Sequence, residues 1–169
     1  MKINIIGAVC KNNGIGYNNT LPWHFSKDLA FFSRKTRPCI QNSSTAVIMG
    51  RSTWNGLPKC LPYRSNYILS RQVKGGGFFN SLDKCLDHCR ENNYSSVWII
   101  GGENVYKQAL VRNDINNLYI TRIMQEYICD TYFPLIPSNY HCVERVLDYE
   151  KNTCLMFETY ENMNNNSRV

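Results

Sequence analysis

The chain has 169 residues, 43% hydrophobic and 19% charged, with a formal net charge of +6 at pH 7. That length allows one domain that buries roughly 70% of its unfolded surface, and no apolar run approaches the ~18 residues that span a bilayer. Lys and Arg form no runs, which argues against a nucleic-acid footprint and leaves small polyanions as the ligands that positive charge attracts.

The first residues, Met1 to Gly7, carry one charge and lack the length and cleavage site of a signal peptide. Residues 3–10 are mostly apolar and predict a strand covered on both faces. Residues 11–19 hold turn formers and predict a loop. After Leu21, Pro22 and Trp23, a helix is predicted near 27–36 with Ser26 as its cap. Residues 46–50 predict a short buried strand. Ser52, Thr53 and Trp54 open a helical turn that stops at Gly56 and Pro58, and residues 65–70 predict another strand. Glycines 75–77 mark a loop before a short strand at Phe78 and Phe79. Ser81 caps a helix to about Glu91, with Leu82, Cys85, Leu86 and Cys89 on one face. Residues 97–100 form a buried strand that runs into Gly101 and Gly102 and a helix near 103–112. Strands follow at 118–124, near 141–149 and near 154–160, the last two joined by a turn at 150–152. Residues 162–169 read as a frayed tail.

Strands alternating with helices predict an α/β fold. The expected architecture is a single domain over 1–169 with a mixed, mostly parallel sheet of about eight strands. Its C-terminal edge is antiparallel, and helices cover both faces. The eight cysteines (Cys10, Cys39, Cys60, Cys85, Cys89, Cys129, Cys142 and Cys154) are scattered without a C-x-x-C. They read as free thiols in a reducing compartment. His24, His88 and His141 form no ligand pair, so no metal is expected.

Three constellations could carry chemistry. Phe25, Asp28, Leu29 and Phe32 fall on one helical stripe, apolar except for the acid. A carboxylate in apolar surroundings has a raised pKa, as a proton donor near neutral pH requires; an Asp in a helix's first turn is otherwise a solvated partner of the macrodipole. Two strand-to-helix junctions, Met49-Gly50-Arg51-Ser52-Thr53 and Ile100-Gly101-Gly102-Glu103-Asn104, offer backbone N–H groups to phosphate. A third strand end, Leu69-Ser70-Arg71, offers a hydroxyl and a guanidinium. Together they point to a phosphorylated dinucleotide, although the G-x-G-x-x-G fingerprint is missing. Arg64, behind a rim stiffened by Pro58 and Pro62, could clamp a carboxylate.

In order and spacing these segments resemble dihydrofolate reductase over essentially the whole chain. The matching runs are Gly14-Ile15-Gly16, Leu21-Pro22-Trp23 with Asp28 five residues after the Trp, 47–54, 69–71, 97–102, Tyr106-Lys107, 121–124 and 130–134. The resemblance implies NADPH-dependent reduction of dihydrofolate to tetrahydrofolate, serving one-carbon metabolism, by a cytoplasmic monomer that needs neither nucleic acid nor membrane and is a target of antifolates. It makes Asp28 the pterin anchor that promotes N5 protonation, with Thr121 supporting it and Trp23 sharing a water. Ala8, Leu29, Phe32 and Leu57 match the walls around the pterin and benzoyl rings, Ile6 and Ile100 carbonyls that face the pterin, and Arg64 the grip on the glutamate α-carboxylate. Ser70 and Arg71 match the cofactor's 2′-phosphate site, beside Leu69. Gly50, Arg51, Ser52 and Thr53 match one phosphate-contacting helix start, and Gly101, Gly102 and Val105, with Tyr106, the other. In the family the paired glycines are joined by a cis peptide. Residues 11–23 match the mobile loop over the nicotinamide, where Ile15, Gly16 and Leu21, with Ala8 and Ile100, border the cofactor. An adenosine-binding subdomain is implied at about 40–90.

Some positions depart from the pattern. The acid is Asp at bacterial-type spacing, whereas 121–125 looks animal-like. His24 changes the loop hinge, and Gly7 stands where a branched residue is common. The same fold and NADPH occur in riboflavin-pathway reductases, which lack both the Trp-plus-acid arrangement and the carboxylate-gripping arginine. A basic nucleotide- or RNA-binding protein without turnover is the alternative from another class.

Overall fold

The computed structural model describes residues 1–39, 43–72 and 75–165. The order is β1 (Lys2–Cys10), β2 (Gly14–Gly16), α1 (Ser26–Thr36), β3 (Thr45–Gly50), α2 (Arg51–Gly56), β4 (Ser65–Leu69), β5 (Phe78–Phe79), α3 (Leu82–Glu91), β6 (Ser96–Ile99), α4 (Glu103–Leu110), β7 (Asn117–Ile123), β8 (Thr131–Tyr132), β9 (Tyr140–Glu150) and β10 (Thr153–Asn162). Eight strands form one sheet in the order β5-β4-β3-β6-β1-β7-β10-β9. Pairing is parallel from β5 to β7 and antiparallel from β7 through β10 to β9. The α/β class, the mostly parallel sheet and its antiparallel edge are as the sequence predicts.

Alternation along the strands sorts the core into two faces. Ile3, Ile5 and Val9 of β1, Ala46 and Ile48 of β3, and Val97 and Ile99 of β6 pack with Leu82, Cys85, Leu86 and Cys89 of α3 and with Val105, Tyr106, Ala109 and Leu110 of α4. Ile6, Val47, Met49 and Trp98 point the other way, toward Phe31 and Phe32 of α1 and Trp54 and Leu57 at α2. The predicted apolar face of α3 is buried at all four positions. Ser81 caps that helix, its side chain accepting from Lys84 N–H at 3.3 Å.

Three local expectations are corrected. Ser26 does not cap α1; the N-cap is Phe25, in extended conformation and with no side-chain bond. Residues 11–19 are not loop throughout, because Gly14–Gly16 pairs with Thr131–Tyr132 in a second small sheet. The glycines permit that approach: a Cβ on Gly14 would lie 2.2 Å from the Cys129 sulfur. Residues 162–165 are not a frayed tail: β10 runs to Asn162 and a 3-10 turn follows at Met163–Asn165. Asn162 is buried, its side-chain amide donating to Ile115 O at 3.0 Å, and residues 166–169 lie outside the described residues. The β9–β10 turn has Lys151 and Asn152 at φ 51° and 60°, the left-handed pair that a two-residue hairpin of the right twist requires. All eight cysteines are free. Among the described residues no helix is long and apolar enough to cross a membrane.

Candidate active site

A cavity of about 1010 Å³ runs along the carboxyl ends of β1, β3, β4 and β6. This is where open α/β sheets bind ligands, because the strands stop there and the following chain diverges. At one end Asp28, Leu29 and Phe32 of α1 and Leu57 after α2 face Ile6, Gly7 and Ala8 of β1. Of the predicted stripe, Asp28, Leu29 and Phe32 face the cavity, which is why Leu29 is 43% exposed, whereas Phe25 is buried in the core with Trp23, Ile123 and Leu155. Ile15, Gly16, Leu21 and Ile100 border the middle. The far end is lined by Gly50, Arg51, Ser52 and Thr53, by Leu69, Ser70 and Arg71, and by Gly102, Val105 and Tyr106.

Electrostatics differ between the ends. Burial pushes the Asp28 carboxyl above its ordinary value; a hydrogen bond from Thr121 opposes the shift, and the charge of Glu150 adds to it. Low dielectric disfavours the ionised form, so this acid holds its proton to higher pH than a surface Asp. Thr121 is itself buried beneath it in β7. At the far end, α2 and α4 start at Gly50 and Gly102, and neither helix has a side-chain cap. Their first-turn N–H groups stay free of side-chain acceptors, with Arg51 alongside, as an anion-binding end requires. The Gly101–Gly102 peptide is cis, Gly50 N–H donates to Gly101 O at 2.8 Å, and a Cβ on Gly101 would press on the Tyr106 ring at 3.1 Å. Tyr106 donates its hydroxyl to Ile6 O at 2.9 Å and so ties α4 to β1 across the cavity floor.

Four expected site residues lie behind the cavity wall instead of on it. Thr121 reaches it through Asp28, and Gly101 supports Tyr106. Trp23 is buried against Tyr127, ring centroids 5.2 Å apart, and among the described residues its Nε1 is one of three buried side-chain polar atoms with no hydrogen-bond partner. Arg64 sits behind Phe32, 6.0 Å from the ring centroid. Its guanidinium donates to Pro62 O at 3.0 Å and to the Thr36 hydroxyl, and burial and the charge of Arg37 push its pKa down.

Of the other lining residues, Asn19 and Thr20 belong to the predicted loop and Glu103 and Asn104 to the predicted junction, whereas Gly56, Gln72, Asn80, Ser81, Gln108 and Thr131 are not singled out as site residues by the sequence. Glu103 and Asn104 were readable as the first turn after the paired glycines. Thr131 left no local signal, since β8 brings it to the cavity by pairing with β2.

Comparison with known proteins agrees with this architecture. The family model for dihydrofolate reductase matches residues 2–162. A dihydrofolate reductase of Drosophila melanogaster is 39% identical over 154 residues, 83% of each chain. That of Bos taurus is 36% identical over 184 residues, 96% of this chain and 98% of its own. A bacterial relative from Buchnera aphidicola is also 36% identical, covering 95% and 96%. Sheet order, the ligand cavity at the strand ends and full-length similarity to both animal and bacterial members lead to one conclusion: the chain belongs to the dihydrofolate reductase family.

Proposed function

We propose that the protein reduces 7,8-dihydrofolate to 5,6,7,8-tetrahydrofolate with NADPH, acting as a cytoplasmic monomer in one-carbon metabolism. The carrying observation is the cavity itself, with a half-buried acid of raised pKa at one end and uncapped helix starts with arginines at the other. The cofactor supplies a hydride; the protein supplies placement and electrostatics.

Asp28 anchors the pterin and favours a proton at N5, so that hydride reaches an activated C6. Thr121 orients Asp28. Trp23, with its N–H unpartnered, is suited to donate to a shared water. Leu29, Phe32, Leu57, Ala8, Ile6 and Ile100 exclude water around the rings, which strengthens the charge effects there. Arg64 and neighbouring Arg37 make a positive field for the glutamate carboxylate, with Arg64 pre-oriented by Thr36 and Pro62. NADPH suits the far end because Ser70 and Arg71 offer a hydroxyl and a guanidinium to a 2′-phosphate. Arg51, Ser52, Thr53, Gly102 and Val105 suit the pyrophosphate. The adenosine-binding part falls at about 40–90, and antifolates would occupy the pterin end.

The test is NADPH oxidation that depends on dihydrofolate. Purified protein should show it, and Asp28→Asn should lose roughly 10²-fold or more in hydride transfer at pH 7. Absence of dihydrofolate-dependent turnover in the wild type would refute the function; a near-normal rate in the variant would remove Asp28 from its role.

A further inference from the structure

The tip of the β9–β10 hairpin reaches across the molecule to the start of α1. The Glu150 carboxylate accepts from Ser26 N–H at 2.9 Å and from Lys27 N–H at 2.8 Å, one through each oxygen. Lys27 Nζ pairs with Asp148 at 2.6 Å. Lys151 Nζ donates to His24 O at 2.7 Å and lies 5.6 Å from the centroid of the Phe25 ring. All four residues from 24 to 27 are thus held by three residues of the hairpin tip, and they are the four that separate Trp23 from Asp28. Helix α1 has no capping side chain of its own, so the orphan donors of its first turn are met by a carboxylate distant in sequence. A negative group there is also favoured by the helix dipole.

We propose that Glu150 is a positioning residue for reduction, acting through α1 to fix where Asp28 meets the pterin. The proposal rests on the role given to Asp28 above. Two bonds from one rigid carboxylate define both the height and the rotation of the first helical turn. Asp28 stands in that turn, one residue beyond Lys27. Glu150 also faces the site electrically. The Lys27 N–H foremost, with the Ser26 N–H and the charges of Lys151 and Lys27, holds its carboxyl below the ordinary value against the opposing effect of desolvation. It is therefore ionised at neutral pH, and its charge disfavours a second negative charge on Asp28. The other groups facing Asp28 are the Thr121 hydroxyl of β7, which hydrogen-bonds to it, and the buried Tyr106 of α4. Removing the Glu150 charge makes a proton less favourable on Asp28 and on N5 alike, so either route moves the apparent pKa of the hydride step downward.

The experiment measures single-turnover hydride transfer across pH in wild type, Glu150→Gln and Glu150→Asp, with the Kd for NADPH taken by fluorescence as a control of folding. Glu150→Gln should slow hydride transfer at pH 7 by roughly 3–10-fold, the scale of a sub-ångström misplacement, shift its pH profile to lower pH, and leave NADPH binding unchanged. Glu150→Asp keeps the charge but is too short for both N–H groups; it should slow the step without moving the profile. A merely structural cap would lower the melting temperature and leave rate and profile as in wild type, and that result overturns the proposal. If Glu150→Gln does not fold, a wild-type rate in Glu150→Asp overturns it equally. A rate unmoved by Asp28→Asn would remove the role of Asp28 and this proposal together, whereas a rate unmoved only by the Glu150 variants overturns this proposal alone.

Discussion

Asp28 places a carboxylate where its charged form is disfavoured. Its folded pKa is above its unfolded value, so the ionised state destabilises the fold. That penalty is absent below the ordinary carboxyl range of about 4 and complete above the raised value. Asp28→Asn keeps the shape and removes the charge. It should melt at a higher temperature than wild type near pH 8, with the advantage fading as pH falls toward about 4. Melting curves at both ends of that range decide it, and an advantage of equal size at both would show that desolvation is not the cause. Glu158 has the opposite balance. Burial pushes its carboxyl up, but Tyr160, Arg122 and Arg145 outweigh that and bring it below its ordinary value, so its contribution is lost as pH falls. Asp28 was legible in the sequence because its signal is local, an apolar stripe at helical spacing and the five-residue spacing from Trp23 that carries the family resemblance, although the groups that face it, Thr121, Tyr106 and Glu150, are distant in sequence. Glu150 was not legible as the cap of α1, because a bond across more than a hundred residues leaves no pattern in either segment, and the nearby Ser26 offered a conventional but incorrect choice.

At the scale of elements, the small β2–β8 sheet depends on Gly14. The added Cβ of Gly14→Ala would meet the Cys129 sulfur and Cβ at 2.2 and 2.5 Å; the sulfur can turn about χ1, but the Cβ cannot withdraw without moving the segment that carries Asp130. That segment matters to the loop, since the Asp130 carboxylate accepts from Asn18 N–H at 3.0 Å and Asp130 N–H donates to Gly16 O at 3.0 Å. Gly14→Ala should lose about 1–3 kcal/mol of stability, as overpacking does. Urea denaturation measures this, and an unchanged midpoint would mean that the loop shifts freely. Long elements such as β1, α3 and the β9–β10 hairpin were readable because periodicity and turn residues repeat over many positions. β2 has three residues, two of them glycine, and its strand character comes wholly from its partner.

For the whole molecule, alternating strands and helices followed by a hairpin were enough to read the α/β sheet with its antiparallel edge. The cavity's position follows from that order, while its polar lining from loops does not. The net charge of +6 gives the molecule a field that draws anions toward the site. The association rate of NADPH should fall as salt rises from about 20 to about 300 mM, and more steeply than that of NADH, which lacks the 2′-phosphate. Stopped-flow binding tests this; parallel slopes for the two cofactors would count against the 2′-phosphate site at Ser70 and Arg71. The cavity is one continuous trough, and Ile15, Gly16, Leu21 and Ile100 border its middle. On the proposed reading, substrate and cofactor share those walls instead of occupying insulated compartments. Their affinities are then thermodynamically linked, and whatever factor bound cofactor imposes on the pterin's dissociation constant, the pterin must impose on the cofactor's.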